Sequence, residues 1–242
     1  ETQLAFSAEA QQQWQGVLAT FTVTTDQDIV NGSDGLTSLR EAIIAANANA
    51  DADADIIILS AGTYTLTIGG VGEDAAATGD LDIRRDLTIQ GAGAATTTIN
   101  GNGIDRIFEV LNLNTDFNLD NVTLTGGNVG SSEGGAIKVT NGGATVFIKN
   151  NQAGEGGGIY NQGTLNITDS TISNNTASTS SVGGGISNHG TATLERVTLS
   201  GNSAGDGGGL YQDTGNTMTL TNVTVSGNEA NSRTLILIPN GK

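Results

Sequence analysis

Apolar residues along this chain alternate with Thr, Asn and Ser in short runs, and the runs are broken by Gly, Asn or Asp. Phe21-Thr22-Val23-Thr24-Thr25, Thr63-Tyr64-Thr65-Leu66-Thr67-Ile68 and Leu87-Thr88-Ile89 carry the two-residue period of half-buried strands. Ile56-Ile57-Ile58-Leu59 is continuously apolar between turn signals, as a parallel strand buried on both faces would be. Only one segment has a helical period: Leu39, Ala42, Ile43 and Ala46 fall on one face. Ser38-Leu39-Arg40-Glu41 sets a capping box before it, with the Ser38 hydroxyl accepting from the Glu41 amide and the Glu41 carboxylate reaching back to the Ser38 amide. The strands are too short and too closely spaced for helical crossovers. A coil that winds back beneath itself supplies the long connection that parallel pairing requires.

The second half of the chain is explicitly periodic. Gly134-Gly135-Ala136-Ile137, Gly156-Gly157-Gly158-Ile159, Gly183-Gly184-Gly185-Ile186 and Gly207-Gly208-Gly209-Leu210 recur 22 to 27 residues apart. Asn128-Val129-Gly130, Asn151-Gln152-Ala153, Asn175-Thr176-Ala177, Asn202-Ser203-Ala204 and Asn228-Glu229-Ala230 accompany them. Such a period means one structural unit stacked on its copies. The Asn amides are expected to stack in successive coils and satisfy turn backbone, and the glycines to supply positive φ and close approach. No Lys-Ser/Thr follows a Gly triplet, so none reads as a phosphate loop.

The pattern divides the chain into an N-terminal arm or first strand (1–19), a cap (20–55) with its helix at 38–48, a parallel β-helix of three short strands per coil (56–233) and an apolar tail (234–242). In the arm, Leu4 and Phe6 alternate with polar residues and Trp14 is the sole Trp. It fits either a strand covering its own fold or an arm pairing with a neighbour. The tail run Leu235, Ile236, Leu237 and Ile238 is too apolar to remain in water, so it caps the last coil or pairs with another subunit. Head-to-tail self-association through these ends would propagate into a fibre unless it closed into a ring.

Composition narrows the partners. A net charge of −16 with nine Lys and Arg excludes the clustered basic face that nucleic acid or anionic membrane requires, and leaves room for cations. No segment is long and apolar enough to insert in a bilayer as a helix. Cysteine is absent, and Glu1 in place of Met is what a processed, exported chain would show. Asp51, Asp53 and Asp55, alternating with Ala, are the candidate calcium ligands, and Glu73, Asp74, Asp80 and Asp82 follow on the next loop and strand. Neither an EF-hand nor a nonapeptide calcium repeat is present. Arg84, Arg85 and Arg106 near Asp82, Asp86, Asp105 and Glu109 form the one patch that could suit a polysaccharide lyase or glycosidase. His189 is the only His and is expected in a turn, with no Ser-His-Asp arrangement evident.

Thr37-Ser38-Leu39-Arg40-Glu41-Ala42-Ile43 resembles the Cys-Ser-Leu-Arg-Glu-Ala-Ile motif of secreted bacterial right-handed β-helix proteins of the CSLREA or choice-of-anchor type, with Thr37 in place of the cysteine. Gly79-Asp80-Leu81-Asp82-Ile83 and Leu87-Thr88-Ile89-Gln90-Gly91-Ala92-Gly93 also look like that family. The Asn-x-Ala and Gly-Gly-Ala-Ile phrases are similar to repeats of polymorphic outer-membrane proteins. The resemblance implies an all-β, right-handed parallel β-helix that is exported. Since fold does not fix function, it implies little about activity. The expected function is a non-catalytic extracellular or cell-surface structural protein, with itself or cell-surface glycans as partner and no obligatory cofactor. A carbohydrate-active enzyme on the same scaffold is the alternative.

Overall fold

A computed structural model describes residues 19–231 apart from 51–52, 71, 112–114, 140–141, 145–146, 150–151, 154–155 and 169. Strand β1 (Thr20–Thr22) is followed by helix α1 (Leu39–Ala48) and then by strands wound as a parallel β-solenoid. Each early coil has three strands: β2 (Asp55–Leu59), β3 (Gly62–Thr65) and β4 (Leu81–Ile83), then β5 (Leu87–Gly91), β6 (Thr97–Asn100) and β7 (Phe108–Val110), then β8 (Phe117–Asp120), β9 (Thr123–Thr125) and β10 (Ile137–Val139). From β11 (Gly142–Ala144), β12 (Phe147–Lys149) and β14 (Ile159–Asn161) onward a two-residue corner strand joins each coil, beginning with β13 (Gln152–Ala153). The regular coils are β15 (Thr164–Thr168), β16 (Thr171–Ser173), β17 (Thr176–Ala177) and β18 (Ile186–Asn188), then β19 (Thr191–Glu195), β20 (Thr198–Ser200), β21 (Ser203–Ala204) and β22 (Leu210–Gln212). Strands β23 (Thr217–Thr221), β24 (Thr224–Ser226) and β25 (Glu229–Ala230) follow, and the largest sheet stacks seven strands.

The register places like residues above like. Leu81, Phe108, Ile137, Ile159, Ile186 and Leu210 form one inward column. Ile57, Ile89 and Leu119 form a second column. Every member of these columns is buried, so each apolar residue of a short strand meets its counterpart one rung away. Phe108 and Phe117 meet edge to face at 5.0 Å between centroids.

Corner geometry explains the Gly and Asn phrase. Gly183 has φ +68, and a Cβ on Gly184 would fall 2.3 Å from the Gly208 carbonyl oxygen of the next rung. Neither position accepts a side chain. Asn175 donates its amide to Asn202 Oδ1 at 3.0 Å, and Asn202 donates to Asn228 Oδ1 at 2.9 Å. The same oxygens accept the backbone amides of Asn175 and Asn202. A second ladder, Asn161 to Asn188 to Gln212, runs up another corner at 2.5 and 2.7 Å. Its members end strands rather than stand in the Asn-x-Ala phrase, so the repeat pattern did not disclose it.

Helix α1 packs on β1, β2 and β4 and buries Leu39, Ala42, Ile43 and Ala46. Both halves of the capping box form, with Ser38 also donating to the Ile29 carbonyl at 2.6 Å. Arg40 lies fully buried in the same motif. Its guanidinium donates to Asp28 (2.7 and 3.2 Å) and to the carbonyls of Ala76, Gly79 and Asp80 (2.9, 2.9 and 3.3 Å). Asp28 in turn accepts the amides of Thr67 and Ile68. One side chain thus fastens the helix, the loop after β1 and the loop before β4.

Candidate functional site

Strand alternation puts Leu81 and Ile83 inside the first coil, so Asp82 between them faces outward. Parallel register then sets Glu109 beside Asp82 and Lys138 beside Glu109. Ligand oxygens of Asp80, Asp82 and Glu109 lie within 4.8 Å of one another. Asp80 and Glu109 line a cavity of about 530 Å³ together with Glu73, Asp74, Asp105, Arg106, Asn128 and Ser132, and Asp82 adjoins them beneath it. Arg106 Nε approaches Asp80 Oδ2 at 2.8 Å and Glu109 Oε2 at 3.5 Å, while Lys138 Nζ reaches Glu109 Oε1 at 3.1 Å. The Arg106–Asp80 contact is an ion pair without aligned N–H geometry. Asp80 Oδ2, Asp82 Oδ1 and Arg106 Nε are all buried without a hydrogen-bond partner.

The electrostatics follow from that crowding. Burial, then the charge of Asp82, push the Asp80 carboxyl up to about 7 against the opposing pull of Arg106. Burial also carries Asp82 to about 7, with Glu73, Glu109 and Asp74 adding to it and the Ala76 amide opposing. Burial raises Asp105 as well. Chemically, the cluster can share protons or hold a hard cation.

The acidic run at 51–55 behaves differently. Asp51 lies outside the described residues, Asp53 is exposed, and buried Asp55 accepts from Asn49 Nδ2 at 2.8 Å. Among the described residues, Asp80, Asp82 and Glu109 form an acidic group close enough to share an ion. Its signal in the sequence was Leu81-Asp82-Ile83 and Phe108-Glu109-Val110, an acid between two apolar residues one coil apart. Of the arginine patch, Arg106 meets Asp80 and Glu109. Arg85 donates to the Asn49 carbonyl, Arg84 is exposed, and Asp86 accepts the Asp116 amide at 2.8 Å. Leu4, Phe6, Trp14, Leu235, Ile236, Leu237 and Ile238 lie outside the described residues.

His189 is in the turn after β18, but not without company. Its Nδ1 lies 3.2 Å from Asp213 Oδ2 and its Nε2 lies 3.0 Å from Ser187 Oγ. The Thr214 amide, then His189, hold the Asp213 carboxyl below the usual carboxylate range. Stacking brings these three residues together from two coils, an arrangement that their spacing of two and 24 residues conceals. The connectivity is that of a hydrolase triad, yet Ser187 is fully buried. Tyr160 and Tyr211 occupy the adjoining rungs, and the His189 ring lies 5.1 and 5.8 Å from theirs. A hydroxyl sealed in this way cannot meet an acyl carbon, so the trio acts as a strut between coils.

A Chlamydia polymorphic membrane protein (Chlamydia_PMP) repeat model matches residues 145–162, which run from just before β12 through β14. The match lies within the repeats and leaves the motif at 37–43 outside it. No curated protein and no solved structure matches the chain. Among the described residues, no helix is long and apolar enough to cross a membrane.

Proposed function

We propose that this chain is a non-catalytic bacterial cell-surface or extracellular structural protein, its solenoid faces serving adhesion. The observation that carries this is the content of the outward columns. Thr164, Thr191 and Thr217 stack on one face beside Asn166, Thr193 and Thr219, and Thr171, Thr198 and Thr224 stack on the next beside Ser173, Ser200 and Ser226. Flat arrays of hydroxyl and amide groups suit hydrogen bonding to hydroxyl-rich surface glycans, and they hold no group able to transfer a proton near neutral pH. Similarity to a surface-protein repeat supports the bacterial surface as the location. Self-association through the terminal segments would extend such a rod into a filament, which light scattering over a concentration series tests.

The full chain should be retained on a panel of cell-surface glycans, and Thr193→Glu with Thr219→Glu should abolish retention. Absence of retention on every glycan and cell surface tried would sink the adhesive reading. A second reading, a polysaccharide lyase, is favoured by one observation: Asp80, Asp105, Glu109 and Arg106 share a cavity on a solenoid face. Release of ultraviolet-absorbing unsaturated sugar from a polyuronate would establish it in place of the first.

A further inference from the structure

We propose that Asp80, Asp82 and Glu109 form a divalent-cation site, fitted to Ca²⁺, that clamps the first solenoid coil to the second. Two oxygens bound to one Ca²⁺ at about 2.4 Å each can stand no more than about 4.8 Å apart. The ligand oxygens of these three residues meet that limit together. They come from β4 with its preceding residue and from β7, adjacent strands of neighbouring coils, so an ion between them bridges the rungs.

A cluster of acids alone would show only a charged surface. Here one buried oxygen has no partner, and a second has an ion pair but no hydrogen bond. Asp82 is fully buried, and its Oδ1 accepts nothing while Oδ2 takes the Ala76 amide. Asp80 is 5% exposed, and its Oδ2 also accepts no hydrogen bond. Buried carboxylate oxygens are ordinarily satisfied, and the bare Asp82 Oδ1 beside an Asp80 oxygen held only by an unaligned ion pair marks a place that a cation completes. The resident cations do not fill it. Arg106 is anchored through Nη1 on the Glu133 carbonyl at 2.9 Å and offers its unaligned Nε to Asp80 and, at 3.5 Å, to Glu109, while Lys138 pairs with Glu109; neither cation reaches Asp82 Oδ1 within hydrogen-bond distance. Glu73, Asp74 and Asp105 line the same cavity, so carboxylates outnumber these two cations.

All donors are oxygens and no His or Cys takes part, which selects a hard cation. The open side of the cavity admits the water that completes six to eight ligands. The clamp would also stiffen the loop before β4, because that loop carries the Ala76 amide bound to Asp82 and the carbonyls held by Arg40. This site is independent of the adhesive reading.

The test uses the full chain stripped with a chelator, then titrated with Ca²⁺ by calorimetry and equilibrium dialysis, with thermal melts alongside. One Ca²⁺ should bind per chain with a dissociation constant of about 10⁻⁴–10⁻³ M, the range of extracellular modules, and raise the melting temperature. Glu109→Gln and Asp82→Asn should each weaken binding about tenfold or more, and Asp53→Asn should leave it unchanged. If Asp82→Asn does not fold, Glu109→Gln on a partly exposed side chain decides. No bound Ca²⁺ at millimolar concentration, or wild-type affinity in Glu109→Gln, overturns the proposal. Loss of binding in Asp53→Asn also overturns it, by placing the ion on the 51–55 run.

Discussion

Replacing Arg40 should unfasten the N-terminal end of the solenoid. Arg40→Ala removes five hydrogen bonds and leaves the Asp28 carboxylate, whose side chain is 2% exposed, without its counter-ion. The Ala76 and Gly79 carbonyls lose their guanidinium donor too. Removing one partner of a buried ion pair destabilises by about 3–5 kcal/mol, because the surviving charge stays buried. Much of the gross hydrogen-bond energy is offset by the desolvation that the guanidinium no longer undergoes, so the lower figure is the better guide. The assay is urea unfolding followed by far-ultraviolet circular dichroism.

The pH dependence adds a second readout of the same contact. Burial pushes the Asp28 carboxyl up, but the Arg40 hydrogen bond and the Ile68 and Thr67 amides outweigh it and hold it below the usual carboxylate range. A folded-state value below the unfolded one contributes stability above the unfolded value, which is lost as pH falls through the folded one. In Arg40→Ala the uncompensated charge is relieved by protonation instead. The gap between wild type and variant should therefore narrow as pH falls through the carboxylate range. A loss below about 1 kcal/mol, the worth of an exposed pair, together with a gap that does not change with pH, would refute the reasoning.

Three further substitutions probe the corners. Asn202→Ala removes two donations and two acceptances within a buried ladder, taking an acceptor from the Asn175 backbone amide and a donor from the Ile172 carbonyl. Denaturant unfolding should show a loss of about 2–6 kcal/mol, at about 1–3 for each of these two buried groups. Gly184→Ala drives a Cβ into the backbone of Gly208 and Ser203, whereas Gly32→Ala meets nothing within 4 Å. Thermal melts should show Gly184→Ala destabilised by about 1–3 kcal/mol or more, with Gly32→Ala near wild type. Arg196 holds φ +55 at a corner where Asn121 and Asn222 hold φ +57 and +54. Arg196→Asn should raise stability by about 1 kcal/mol through relief of left-handed strain, and the exposed Glu195 contact it gives up is worth little.

Local physics made much of this molecule legible from its residues in order. The two-residue alternation, the Gly triplets and the Asn phrases determine short strands, tight corners and a coil period, because each depends on a residue and its near neighbours. The capping box over Ser38 and Glu41 is equally local, and it forms as read. Stacking decided the rest. Asp82 and Glu109 are 27 residues apart and become neighbours only because one coil separates them, and Ser187, His189 and Asp213 meet for the same reason. Arg40 stands outside the apolar face of Leu39, Ala42, Ile43 and Ala46, so the helical period does not mark it as buried. It is the buried hub of the N-terminal end, because the loop ending at Asp80 folds over it. Periodicity states that coils repeat, but which acids stand unpartnered between two coils depends on register and on what covers them, and those are properties of the assembled stack.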